Sequence, residues 1–169
     1  MKKIFLIVLL IFTSCKPLNT GKLLSHQKLK EFPEKLGIVN DFENILKPEE
    51  MAYIEKMLKM VNSMDKEVAV VTIASLPENI SFDKYAIQLS NHWKIGKKTK
   101  GNGLTVVLSK TLQKVRISTT DKTKKLYLSD EFCKHVIDVY MLPDFKDGKY
   151  YDGLLLGLDE LVRKWMEKD

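Results

Sequence analysis

Apolar residues recur along this chain at two spacings, and the change from one to the other marks out its elements. From Pro48 to about Met64, residues Met51, Ile54, Met57, Leu58 and Val61 fall three or four apart, and Pro48 suits the first position of the helix they predict. Val68 to Ile73 is a nearly unbroken apolar run, which predicts a strand covered on both faces. Ser81 is the expected N-cap of a second helix that buries Phe82, Tyr85, Ala86, Leu89 and Trp93 on one stripe. Leu104 to Ser109 reads as a second covered strand, and Val115 to Ser118 alternates as a half-covered one. Ser129 or Asp130 opens a third helix through about Tyr140, ended by Pro143. The last helix carries Tyr151, Leu154, Leu155, Leu158, Leu161, Val162 and Trp165 on its apolar stripe.

The predicted order is therefore helix, strand, helix, strand, strand, helix, helix. A strand–helix–strand unit implies a parallel pair with a right-handed crossover, and the hairpin that follows adds an antiparallel strand. The fold class expected is α/β: a three-layer α/β/α sandwich around a small mixed, mainly parallel sheet.

The N-terminus follows a different pattern. Lys2 and Lys3 precede the apolar run Ile4 to Phe12, which is shorter than the about 20 residues a membrane span requires and has signal-peptide proportions. Thr13, Ser14 and Cys15 then resemble a bacterial lipobox, although Phe12 stands where an aliphatic residue is usual. That resemblance implies a signal peptide over 1–14 and a lipidated Cys15 as the mature N-terminus. Two acyl chains anchor stably where one is marginal. Lys16 replaces the Asp that commonly retains such proteins in the inner membrane, so the expected location is the outer membrane, facing the periplasm. Residues 15–33 show no sustained period and read as a tether, with the globular domain spanning 34–169. With Cys15 lipidated, Cys133 has no disulfide partner and is expected to be a small core residue.

Charge narrows the partners. The chain of 169 residues carries a formal net charge of +6, from 28 Lys and Arg against 22 Asp and Glu, yet only Arg116 and Arg163 are arginines. Reading bases or clamping phosphates favours the planar guanidinium, so this basicity suits solubility or an anionic membrane face better than nucleic acid. No HExxH, Walker or GxSxG sequence is present. The basic loop Gly96 to Gly103 precedes a strand, whereas phosphate cradles follow one and open a helix. His26, His92 and His135 do not cluster, which argues against a zinc site.

From Gly37 onward a set of short segments resembles the TPM domain family. They are Val39-Asn40-Asp41, Val70-Val71-Thr72, Trp93-Lys94-Ile95-Gly96, Gly101-Asn102-Gly103, Val115-Arg116-Ile117, Leu128-Ser129-Asp130 and Phe145 to Tyr150 before Gly153-Leu154. The family includes a thylakoid-lumen acid phosphatase and photosystem repair factor, a receptor auxiliary subunit and many bacterial envelope proteins. The resemblance implies the same three-layer fold. One segment departs from the pattern: where the family usually has Gly-x-Gly and an acidic residue, this chain reads Ser118-Thr119-Thr120-Asp121.

A hard-cation site is the chemistry this arrangement suggests. Calcium takes six to eight oxygen ligands. The predicted hairpin brings Asn102 towards Thr119, Thr120 and Asp121, with Asp130 at the next helix start, and the resemblance adds Asp41 to Asp130 as acidic family positions. The candidate metal residues are thus Asp41, Asn102, Asp121 and Asp130. Three also have a plain structural reading: Asp41 tying down the segment before the first helix, Asn102 serving a turn, Asp130 complementing a helix dipole. The expected function is a non-enzymatic, calcium-binding module on a lipid anchor, supporting an envelope protein or complex. One alternative is a weak metal-dependent acid phosphatase with Asp41 or Asp130 as nucleophile. Another is a metal-free interaction scaffold.

Overall fold

A computed structural model describes residues 32–167. Strands β1 (Val39–Asp41), β2 (Glu67–Thr72) and β3 (Gly103–Ser109) are parallel, and β4 (Lys114–Thr119) returns antiparallel to β3, in the order β1-β2-β3-β4. Alternation along the strands sends Val68, Val70, Leu104, Val106, Leu108 and Ile117 to one face. There they meet Ile54, Leu58 and Val61 of α1 (Pro48–Asn62) and Leu154, Leu158, Leu161 and Trp165 of α6 (Tyr150–Met166). The other face sends Val71, Ile73 and Val107 against Phe82, Tyr85, Ala86 and Leu89 of α2 (Phe82–His92). This is the three-layer α/β/α arrangement that the patterning predicts. Among the described residues no helix is long and apolar enough to cross a membrane.

The structure differs from the sequence expectation at four places. Val39–Asp41 is a strand, but three residues are too few to display a period. A short helix, α3 (Asp121–Leu126), occupies a stretch with no apolar stripe; Thr123 is its one buried residue. Pro143 does not end the third helix. That helix, α4 (Asp130–Val136), widens into a π-turn over Ile137–Met141, closed by Leu142 N–H to the Ile137 carbonyl, and continues as α5 (Leu142–Lys146). Proline has no N–H and its ring crowds the carbonyl four residues back; the wider turn accommodates both. Finally, the expected tether already belongs to the domain at its end: Phe32 is buried, its ring 5.3 Å from Tyr85, and the Pro33 carbonyl accepts the Trp93 indole N–H at 2.8 Å.

The register defines two edges of the sheet. Asp41, Thr72 and Leu108 lie level near the carboxyl ends of the parallel strands, while Glu67 and Gly103 lie level at the amino ends. The five steps from Glu67 to Thr72 separate the edges by roughly 16 Å at the usual strand rise.

Candidate functional site

The four predicted metal residues divide between these edges, so the single shell expected from the sequence is not formed. Asp41 stands alone at the carboxyl edge. One of its oxygens accepts the Thr72 hydroxyl and the Ile45 N–H (3.2 Å), and the other accepts the Leu46 N–H at 2.8 Å. These bonds close the 41–46 turn, in which Asn44 adopts a left-handed conformation, and deliver the chain to Pro48. Asp41 is thereby a turn clasp, the plain reading of it. At the amino edge Asp130 pairs with the Lys124 ammonium, and Asp121 is exposed in the first turn of α3. Among the described residues no three His, Cys, Asp or Glu side chains group as a metal shell.

Asn102 does reach the neighbourhood the hairpin predicts. Its amide donates to the Asp65 carbonyl at 3.1 Å, while its Oδ1 is buried without a protein partner. The segment that departs from the family's Gly-x-Gly pattern fills its space with hydroxyls. Thr120 Oγ1 donates to the Gly101 carbonyl, and Gly103 N–H reaches Thr120 Oγ1 (3.2 Å) and Thr123 Oγ1 (3.0 Å). The Thr120 methyl lies so near Gly96 and Gly103 that a Cβ on either would stand 2.8 Å from it, which accounts for glycine at both.

Sequence reasoning missed a concavity. At the carboxyl edge a cleft of about 440 Å³ opens between the β3–β4 turn and the α5–α6 junction. Leu108, Val115 and Leu142 form its apolar wall, Phe145 and Tyr150 stack at 5.3 Å between centroids, and Lys110, Lys114 and Lys146 surround it. The Lys110 ammonium sits 5.7 Å from the Tyr150 ring centre, within cation–π range. No carboxylate lines this cleft among the described residues. Glu43, the acid beside it, is turned to the Lys110 N–H (2.9 Å) and Thr111 N–H (2.7 Å) and holds the hairpin turn. The three lysines come from a turn, a strand start and a helix end, so no sequence spacing reveals them. The π-turn before Pro143 leads into α5, whose Leu142, Phe145 and Lys146 line the cleft.

The described thiol is not poised for catalysis. Cys133 lies in the core beside Leu128 and Val136, and burial pushes its pKa from 9.0 up to about 12, with the Asp130 charge adding to the shift.

The cleft lies at the carboxyl end of β3, and its lining suits an anionic group with an apolar or aromatic body. No curated protein sequence matches. Among solved structures, the N-terminal domain of a protein from P. gingivalis is 28% identical with a TM-score of 0.67, the match covering 75% of this chain and 80% of that one. The N-terminal domain of cg2496 from Corynebacterium glutamicum (14% identity, TM-score 0.61) matches over 81% of this chain and 86% of its own. BA42 from Bizionia argentinensis (17%, 0.61) matches over 75% and 86%. At those lower identities the likeness concerns the fold alone. The family profile of the TPM domain matches residues 39–164, which span all four strands and nearly all of α6, and the chain therefore belongs to the TPM domain family.

Proposed function

We propose that this protein is a lipid-anchored TPM module of the bacterial outer membrane that works by binding, not turnover, and holds an anionic segment of an envelope protein in the carboxyl-edge cleft. The observation that carries this reading is the cleft's lining: Lys110, Lys114 and Lys146 around the Phe145–Tyr150 stack. Three ammoniums attract a carboxylate-rich or phosphorylated segment, and the stacked rings offer apolar area beside it. Asp41, the carboxylate a phosphatase would call on at this edge, is committed to the turn.

The test is a titration of isotope-labelled protein with an acidic peptide bearing one aromatic residue. Saturable shifts of the Lys110–Val115 and Phe145–Tyr150 amides, abolished in Lys110→Glu/Lys146→Glu, are expected. No shift at millimolar peptide would remove the cleft reading. Turnover of an aryl phosphate with calcium, magnesium or manganese supplied would instead favour the phosphatase alternative.

A calcium-responsive form of the module has one atom in its favour, the buried and unpartnered Asn102 Oδ1. Lys97, Lys98 and Lys100 beside it work against a cation. Calorimetry of metal-stripped protein decides: heat and a raised Tm, both lost in Asn102→Ala, support the ion, and silence at millimolar calcium dismisses it.

A further inference from the structure

The amino edge of the sheet carries a second lysine cluster that the cleft does not use. Lys94, Lys97, Lys98 and Lys100 project from the loop after α2, and Lys122, Lys124 and Lys125 from α3; all seven are exposed. Loop and helix form one surface: the Lys122 ammonium donates to the Lys100 carbonyl (3.3 Å), and the Thr120 hydroxyl to the Gly101 carbonyl. Carboxylates beside the cluster are Asp65, paired with Lys100 at 3.5 Å, Asp130, paired with Lys124, and the exposed Asp121 and Glu131. The lysines outnumber them, and the surface is net positive.

The same edge receives the chain from its N-terminal side. Glu67, at the first rung of β2, accepts the Lys35 ammonium on one oxygen (2.7 Å) and the Gly96 N–H on the other (2.8 Å). One carboxylate therefore joins the root of the tether to the lysine loop. Asn40 fixes this root further, accepting the Leu36 N–H (2.7 Å) and donating to the Val70 carbonyl (3.3 Å). Leu36, next to Lys35 and 77% exposed, and Leu126, next to Lys125 in α3 and also exposed, are apolar.

We infer that the amino edge is the membrane-facing surface of the domain and rests on anionic lipid headgroups, turning the carboxyl-edge cleft away from the bilayer. The inference rests on the lipid-anchor reading, since an anchor at Cys15 keeps the domain at a membrane: seventeen steps of chain to Phe32 reach at most about 60 Å. Lysine suits the task. A compact charge on a flexible stem is drawn to a field of phosphates without demanding bidentate geometry, and the attraction acts within about 8–10 Å of the surface at physiological salt. Each lysine brought to an anionic leaflet favours that orientation about fivefold.

The test is lysine acylation footprinting of the full lipidated chain on neutral phosphatidylcholine vesicles and on vesicles rich in phosphatidylglycerol. The expected result is that Lys94, Lys97, Lys98, Lys122 and Lys125 react at least about fivefold more slowly on the anionic vesicles, the contribution of a single lysine. Lys110, Lys114 and Lys146 keep their reactivity, and the protection fades near 1 M salt, where screening shortens to about 3 Å. Lys97→Glu/Lys98→Glu/Lys125→Glu abolishes it. Equal reactivity on both vesicle types, protection of the cleft lysines instead, or protection that survives high salt would overturn the inference. So would protection that an added acidic protein produces and anionic vesicles do not. Retention on the neutral vesicles reads the anchor separately: a chain that fails to stay there, yet is protected at the amino edge on anionic vesicles, loses the anchor and keeps the surface.

Discussion

At the carboxyl edge, Lys110, Lys114 and Lys146 surround a cavity with an aromatic stack and an apolar wall; at the amino edge, seven lysines stand exposed on a loop and a short helix. The residue type is the same and the surroundings differ. A lysine beside a concave apolar surface acts together with the shape and the desolvation of that surface, so it can discriminate among ligands. A lysine on an open surface contributes charge that water and salt screen, so it attracts any anionic surface and selects none. Composition alone, with its excess of lysine, does not separate these two roles.

The comparison breaks most severely from the α5–α6 side of the cleft. A Cβ at Gly153 would stand 2.7 Å from the Met141 carbonyl and 2.9 Å from the Phe145 ring. Backbone cannot yield as a flexible side-chain end can, so overpacking costs about 1–3 kcal/mol, more than the ~1 kcal/mol that alanine returns in helix propensity. Gly153→Ala is expected to lower the urea midpoint and the acidic-peptide affinity together, with amino-edge footprints unchanged. A variant as stable as the parent would show that the α5–α6 junction does not hold the cleft.

Asp41→Ala comes next. It strips the Thr72 hydroxyl, Ile45 N–H and Leu46 N–H of their acceptor and should cost about 1–3 kcal/mol in denaturant unfolding, with Asp41→Asn losing less. Unchanged stability together with a lost calcium response would return Asp41 to the role of ligand.

The third effect is silent at neutral pH. The folded protein keeps the Cys133 proton where an unfolded thiol, near 9.0, has lost it; the raised folded value of about 12 therefore makes a stabilising contribution that is complete below pH 9 and lost as the pH climbs towards 12. Urea midpoints measured across that range should decline less steeply in Cys133→Ala than in the parent protein. Parallel declines would mean the thiol is not buried against ionisation behind the amino edge.

Much of the fold is legible in the sequence because burial imposes periods on it. The stripe of α1, the unbroken runs of β2 and β3 and the Ser81 cap, whose hydroxyl accepts the Lys84 N–H, all appear where the pattern predicts. Legibility fails where an element is too short for a period, as at β1, or has no apolar stripe, as at α3. It fails at Pro143 for another reason: a local rule against proline in helices is overridden by packing, with the buried Met141 and Phe145 anchoring the turns on either side. The candidate site was the least legible part. Asp41 and Asp130 are alike as acidic positions, but the first faces two backbone amides and the second a lysine.

The sequence by itself determined the fold class, the TPM resemblance and the excess of lysine over arginine, since each is a property of residue order or kind. Tertiary structure alone decided which lysines share a cleft and which share a surface, and that the four predicted metal residues do not share a shell. The physical reason is that a parallel sheet separates its strand ends by its own length. Residues adjacent in a motif list stand at opposite edges, and residues far apart in the chain, Lys110 and Lys146 or Lys35 and Gly96, converge on one.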